Sequence, residues 1–247
     1  RKEAFFERAG RQLLVALHET TLGKSFVEII RDEYRNIQPT DAQRIYGTIC
    51  ILNRFNVPVR AGVISRIHGI SFEDFQKNFF APLELIVNAR YNPIIRDYEY
   101  TARHSHIAEI VFEDIICKAE ERYDHYIKCL KNLNIAYQSD RKAFYRMIRA
   151  NELLEVFSDV TMVKEIYKTA QETIGEDCEL FHQMAIYEMK HPNGDLKKAD
   201  KLLRRANEIS PQNETIIHSM AELKYHLAEE IGRTPLEVNK YIKEAET

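Results

Sequence analysis

Apolar residues recur every third or fourth position along most of this chain. Phe5, Ala9, Leu13 and Leu17 predict a helix through the opening segment, and Phe26, Ile29, Ile30 and Tyr34 predict another after Gly23. Pro39-Thr40-Asp41 is a helix-start signal, and Ile45, Ile49 and Leu52 form the apolar stripe that follows it. Between Asn56 and Arg103 the texture changes. Pro58, Gly62 and Gly69 punctuate short elements, and two extended runs, Leu85 to Ala89 and Asp97 to Ala102, flank Asn92-Pro93. From His104 to the C-terminus the helical period returns. The pattern predicts a mainly α fold with one small β-hairpin.

Two architectures follow from the order of elements. Short helices followed by a hairpin outline a winged-helix-like domain. The C-terminal third carries a repeat: "TAQETIGED", "RANEISPQN" and "EAET" place Ala170, Ala206 and Ala245 in register. Leu180, Met184 and Tyr187, then Gly194, Ala199, Leu203, Ala206 and Pro211, fit the alternation of large and small positions in a tetratricopeptide (TPR) helix pair. Small residues let antiparallel helices approach closely. Met220-Ala221 continues the register, although Val238 stands where a small residue is expected. The expected fold is a helical segment over 1–40, a winged-helix-like domain over 41–116, and helical hairpins forming a TPR-like α-solenoid over 117–247.

Composition narrows the function classes. The chain has 247 residues with a net charge of −3, so no bulk positive charge draws it to nucleic acid or membrane. No apolar run is long enough to span a bilayer, and a cytoplasmic location is expected. Cys50, Cys117, Cys129 and Cys178 lie far apart in apolar-periodic segments, as reduced core thiols do, and their spacing suits neither zinc nor a disulfide framework. The chain begins at Arg1 within a helical pattern, so a longer parent is expected.

One stretch imitates a phosphate-binding loop. Gly23-Lys24-Ser25 sits between apolar runs, but His18 occupies the position of the first loop glycine, and its Cβ would obstruct a tight wrap around phosphate. No alternation of strands and helices follows to build the required parallel sheet. The expectation is a helix–loop–helix without nucleotide chemistry of its own. Histidines are scattered, and no nucleophile–base or paired-carboxylate motif stands out, so no enzyme activity is expected for this chain.

The remaining signal is "EYTARHSHIAEIVFEDII", Glu99 to Ile116. A strand-like run enters Arg103-His104, and a helix carrying Ile107, Ile110, Val111 and Asp114 leaves it, with Ser105 as the expected cap. On these residues, and on "RQLLVALHETTLGKSF" and "VPVRAGVISRIHGISFEDF", the chain resembles the region after the ATPase core of STAND-class NTPases. These are signal-transducing ATPases that include plant resistance proteins and bacterial anti-phage systems with sirtuin-like or nuclease effectors. The resemblance implies that Arg103 and His104 contact the phosphates of ATP or ADP held by an upstream domain. It also implies that the repeats recognise a protein trigger, and that the parent forms a homo-oligomer to activate its effector. Ser105 stands where plant relatives have Asp.

Two other classes compete. A helical-repeat interaction scaffold needs no nucleotide. A winged helix can also read DNA with its third helix. The candidate helix "SFEDFQKNFFAPLE" carries Glu73, Asp74 and Glu84 against Lys77 alone, and its phenylalanines read as core. Only Arg54, Arg60, Arg66 and Arg90 offer a backbone-contacting face.

Overall fold

Ser25 begins the first described helix. Its hydroxyl accepts from the Glu28 amide while the Glu28 carboxylate accepts from the Ser25 amide, a reciprocal capping box that starts α1 (Phe26–Asn36). The computed structural model describes residues 24–230 and Val15. The opening helix expected on Phe5 to Leu17, the His18 and Gly23 positions, and the terminal repeat positions Val238 and Ala245 lie outside the described residues. Twelve α-helices and one three-stranded antiparallel sheet are present among the described residues, so the mainly α expectation holds. The chain divides between Ala143 and Phe144 into two compact units.

In the first unit, α2 (Thr40–Asn53) starts where Pro39-Thr40 signalled. It is buried far beyond the predicted stripe, since every residue from Ile45 to Asn53 is covered. Strand β1 (Val59–Arg60) leads into α3 (Ala61–His68), which Gly69 ends in the left-handed region at φ 64°, a conformation that costs glycine nothing. The segment read as a third helix is one α turn, α4 (Phe72–Asp74), then a π turn over Phe75–Phe79 and a 3₁₀ turn over Ala81–Leu83. Of its phenylalanines only Phe75 is fully in the core; Phe79 and Phe80 are half-buried and Phe72 is exposed.

Strands β2 (Val87–Asn92) and β3 (Asp97–Ala102) form a hairpin, the second strand as predicted and the first starting two residues later and extending through Asn92. Strand β1 joins on the other side of β3. The central strand places Tyr100 opposite both Val59 and Ala89. Phe75 meets the Tyr100 ring edge-on at 5.0 Å. Asn53 joins the end of α2 to this sheet, accepting from the Ala102 amide and donating to the Val57 carbonyl.

Helix α5 (Ser105–Ile110) continues as a π turn, Val111–Ile115, before α6 (Ala119–Asn132). Arg122 of α6 donates to the carbonyls of Phe112, Glu113 and Ile116, satisfying acceptors that the end of the preceding helix leaves open. Arg66 of α3 does the same for the Asn132 carbonyl at the end of α6. Residues 119–132, grouped by periodicity with the repeats, are thus bonded to α3 and to the end of α5. The next helix is α7 (Gln138–Met147).

The second unit contains α8 (Ala150–Val156), α9 (Val160–Ile174), α10 (Cys178–Lys190), α11 (Leu196–Ile209) and α12 (Glu214–Glu230). Ala185, Ala199 and Ala206 are fully buried with Phe181, Leu203, Leu223 and Leu227. The turn between α10 and α11 requires glycine at 194, because a Cβ there would fall 1.8 Å from the Glu188 carbonyl oxygen. Cys50 and Cys129 are core thiols as expected, whereas Cys117 is exposed and Cys178 only half-buried. No described helix is long and apolar enough to cross a membrane.

Candidate functional site

Strand β3 ends at Ala102, and α5 begins three residues later. His104, in extended conformation, is the N-cap: its Nδ1 accepts from the His106 amide at 3.1 Å. Ser105, the expected cap, is instead the first helical residue. An imidazole can cap only through an unprotonated nitrogen, so Nδ1 carries no proton and the neutral ring holds its proton on Nε2. This makes Nε2–H a donor whose direction is set by the cap.

Arg103 lies beside it. Its amide donates to the Ile86 carbonyl, and its guanidinium pairs with Glu33 of α1 at 2.5 Å, each side chain about one-third exposed. Phe26 at the start of the same helix stacks on His106 at 6.0 Å, and the His106 Nδ1 lies 3.2 Å from a Glu109 oxygen. The two predicted residues therefore share one junction, with α1 as its wall. Arg103 is already matched by a carboxylate, so an incoming phosphate would have to compete with Glu33.

Gly23-Lys24-Ser25 gains no nucleotide role from what is described of it. Lys24 pairs with Asp32 at 2.7 Å and Ser25 caps α1. The arginines considered for a DNA-facing surface are mostly engaged elsewhere. Arg60 is buried against Asp140, Arg66 caps α6, and Arg54 donates to the Tyr126 hydroxyl and covers the Phe112 ring at 3.8 Å. Arg66, although bonded to the Asn132 carbonyl, and Arg90, on β2, are both exposed.

The fold also assembles a trio that no sequence spacing announced. His182 Nε2 lies 2.9 Å from Ser219 Oγ, and its Nδ1 lies 3.9 Å from Glu179 Oε2. Serine, histidine and carboxylate in that order imitate a hydrolase triad. Ser219 is 5% exposed and His182 2%, inside the packing of α10 and α12, so a substrate has no access to the hydroxyl. His182 and Ser219 make a buried tie between two helices, with Glu179 at its partly exposed end. His182 also holds the Glu179 carboxyl below its ordinary range. Among the described residues no group of three or more His, Cys, Asp or Glu is placed to hold a metal ion.

No protein-family model matches the chain, and no curated protein or solved structure matches it.

Proposed function

We propose that this chain is the regulatory and ligand-sensing part of a STAND-type ATPase switch of the kind bacteria use against phage. In this reading residues 41–116 form a winged-helix-like domain. His104 and Arg103 face the phosphates of ATP or ADP in an upstream ATPase domain, and the hairpins of the second unit are TPR-like repeats that capture a protein trigger. The observation that carries the reading is the His104 junction: the central strand runs directly into a helix N-terminus whose cap is a neutral imidazole with a directed Nε2–H. The order α2, β1, α3, broken third helix, β2, β3, with strand order β1-β3-β2, supports the winged-helix part. Buried Ala199 and Ala206 between α11 and its neighbours support the repeat part.

The chemistry is differential binding. Nε2–H donates to a phosphate oxygen in the closed state, and Arg103 exchanges Glu33 for phosphate. Trigger capture by the repeats favours the open, oligomerising state. The alternative scaffold reading keeps the repeats without the nucleotide. The burial of Arg60 and the engagement of Arg54 and Arg66 with Tyr126 and the Asn132 carbonyl argue against the DNA reading.

The test uses the full-length parent. His104→Ala is expected to release effector activity without the trigger, because loss of one phosphate hydrogen bond, roughly 1.5–3 kcal/mol, moves the equilibrium by about one to two powers of ten. A silent variant that retains nucleotide as the wild type does would overturn the reading.

A further inference from the structure

A cleft of about 520 Å³ opens where α2, α3 and α6 converge. α3 places His68 in it and α6 places His125, both half-buried over the same turn of α2. His68 Nε2 lies 3.0 Å from the Thr48 hydroxyl. That hydroxyl directs its single proton to the Arg44 carbonyl at 3.3 Å, so it accepts from His68, and the His68 ring donates through Nε2–H. His125 comes within 4.0 Å of the position a Cβ on Gly47 would occupy, an ordinary contact distance, while the Ile116 side chain lies tighter against the same position at 3.3 Å. Two imidazoles from different helices thus rest on Gly47 and Thr48.

The charges facing them come from every wall. Helix α2 contributes Asp41 and Arg44, and α6 contributes Glu121, Asp124 and Lys128. From α1, the Tyr34 hydroxyl lies 3.3 Å from where a Cβ on the same glycine would sit. Each added proton would sit in a half-buried space that holds two cations and a second imidazole against three carboxylates, so burial is what chiefly opposes it.

We propose that His68 and His125 form an acid-sensitive latch that holds α6 against α2 and α3 at neutral pH and loosens it when the rings take up protons. Burial, followed by the nearby His125 and Lys128, pushes the His68 ring down to about 4, with Asp41 acting weakly the other way. Burial and Lys128 lower His125 as well, against Asp124. An opened α6 returns His68 to water, where an imidazole titrates near 6.5. The open form then binds more protons than the closed one between those two values. Closure is fully favoured above the solvated value and is lost as pH falls through the window. Helix α6 is also tied by Arg54 to Tyr126, by Arg66 to the Asn132 carbonyl and by Arg122 to the carbonyls of Phe112, Glu113 and Ile116.

Native-state hydrogen exchange of the α6 amides in the whole chain, corrected for intrinsic rates, tests this. Between about pH 7.5 and about pH 5 the opening constant of α6 should rise roughly 30-fold from His68 alone. The amides of α10, in the other unit, serve as the reference. His68→Gln with His125→Gln should flatten the α6 response. A wild-type α6 that opens equally at both pH values, or a double variant with the wild-type response, overturns the latch. Should the double variant fail to fold, an NMR titration of the wild-type His68 ring decides. A ring still neutral at about pH 5 supports the latch, and one titrating near 6.5 in the folded protein refutes it.

Discussion

Arg60 and Asp140, eighty residues apart in the chain, meet as a two-pronged ion pair, with Nε and Nη2 donating to the two carboxylate oxygens at 2.8 and 2.7 Å. Both are nearly sealed from water, at 4% and 2% side-chain exposure. Asp97 accepts a further bond from Arg60 at 3.2 Å, the Tyr137 ring lies 3.5 Å from the guanidinium carbon, and Asp140 also accepts from the Asn134 amide. The pair fastens the two-residue strand β1 to the start of α7. A guanidinium can be buried this way because its planar fork matches a carboxylate and its remaining protons find partners.

Removing one partner strands the other. Asp140→Ala and Arg60→Met should each destabilise the first unit by roughly 3–5 kcal/mol, and the double variant by less than their sum. Urea unfolding of all four proteins measures this. Small, additive losses would mean that water already reaches the pair.

The α10–α11 turn makes a steric prediction. The obstacle at Gly194 is backbone, the Glu188 carbonyl, so it cannot swing aside as a side chain would. Gly194→Ala should cost at least the roughly 1–3 kcal/mol of core overpacking. Thermal unfolding within a degree of wild type would show that the turn opens freely.

Ala206 is fully buried among Leu203, Ile216 and Leu223. Ala206→Leu should push α11 from its neighbours and destabilise the unit by roughly 1–3 kcal/mol. An unchanged Tm would refute the close helix approach on which the repeat reading rests.

His104 caps α5, and one pair of substitutions separates that role from the proposed phosphate contact. Asn is a good N-cap and Ala a poor one, so in this chain His104→Ala should lose about 0.5–2 kcal/mol while His104→Asn stays near wild type. In the full-length parent neither variant has the Nε2–H, and both should activate the effector without a trigger. If His104→Asn keeps the parent silent, the residue is a cap and nothing more.

This chain alone should turn over no ATP, given the Lys24–Asp32 pair and the capping role of Ser25. Turnover that disappears in Lys24→Ala would reverse that expectation.

What the sequence determined by itself is what a single element decides. The period of Phe26, Ile29 and Ile30, the start signal at Thr40, the two hairpin runs and the small residues of α11 were all legible, because helix and strand faces are set by neighbours a few positions away. Strand β1 was not, since two residues have no period to read. The phenylalanines of the third helix read as core from their apolar character, but the segment passes from an α turn to a π turn and a 3₁₀ turn, and only Phe75 is buried. Only the tertiary structure decided which arginines were surface and which were interior. Arg60 reads as a surface charge until Asp140 arrives from eighty residues away to make its burial possible. The same holds for His182 with Ser219 and for His68 with His125. Their chemistry depends on distances between helices, and no local pattern encodes those.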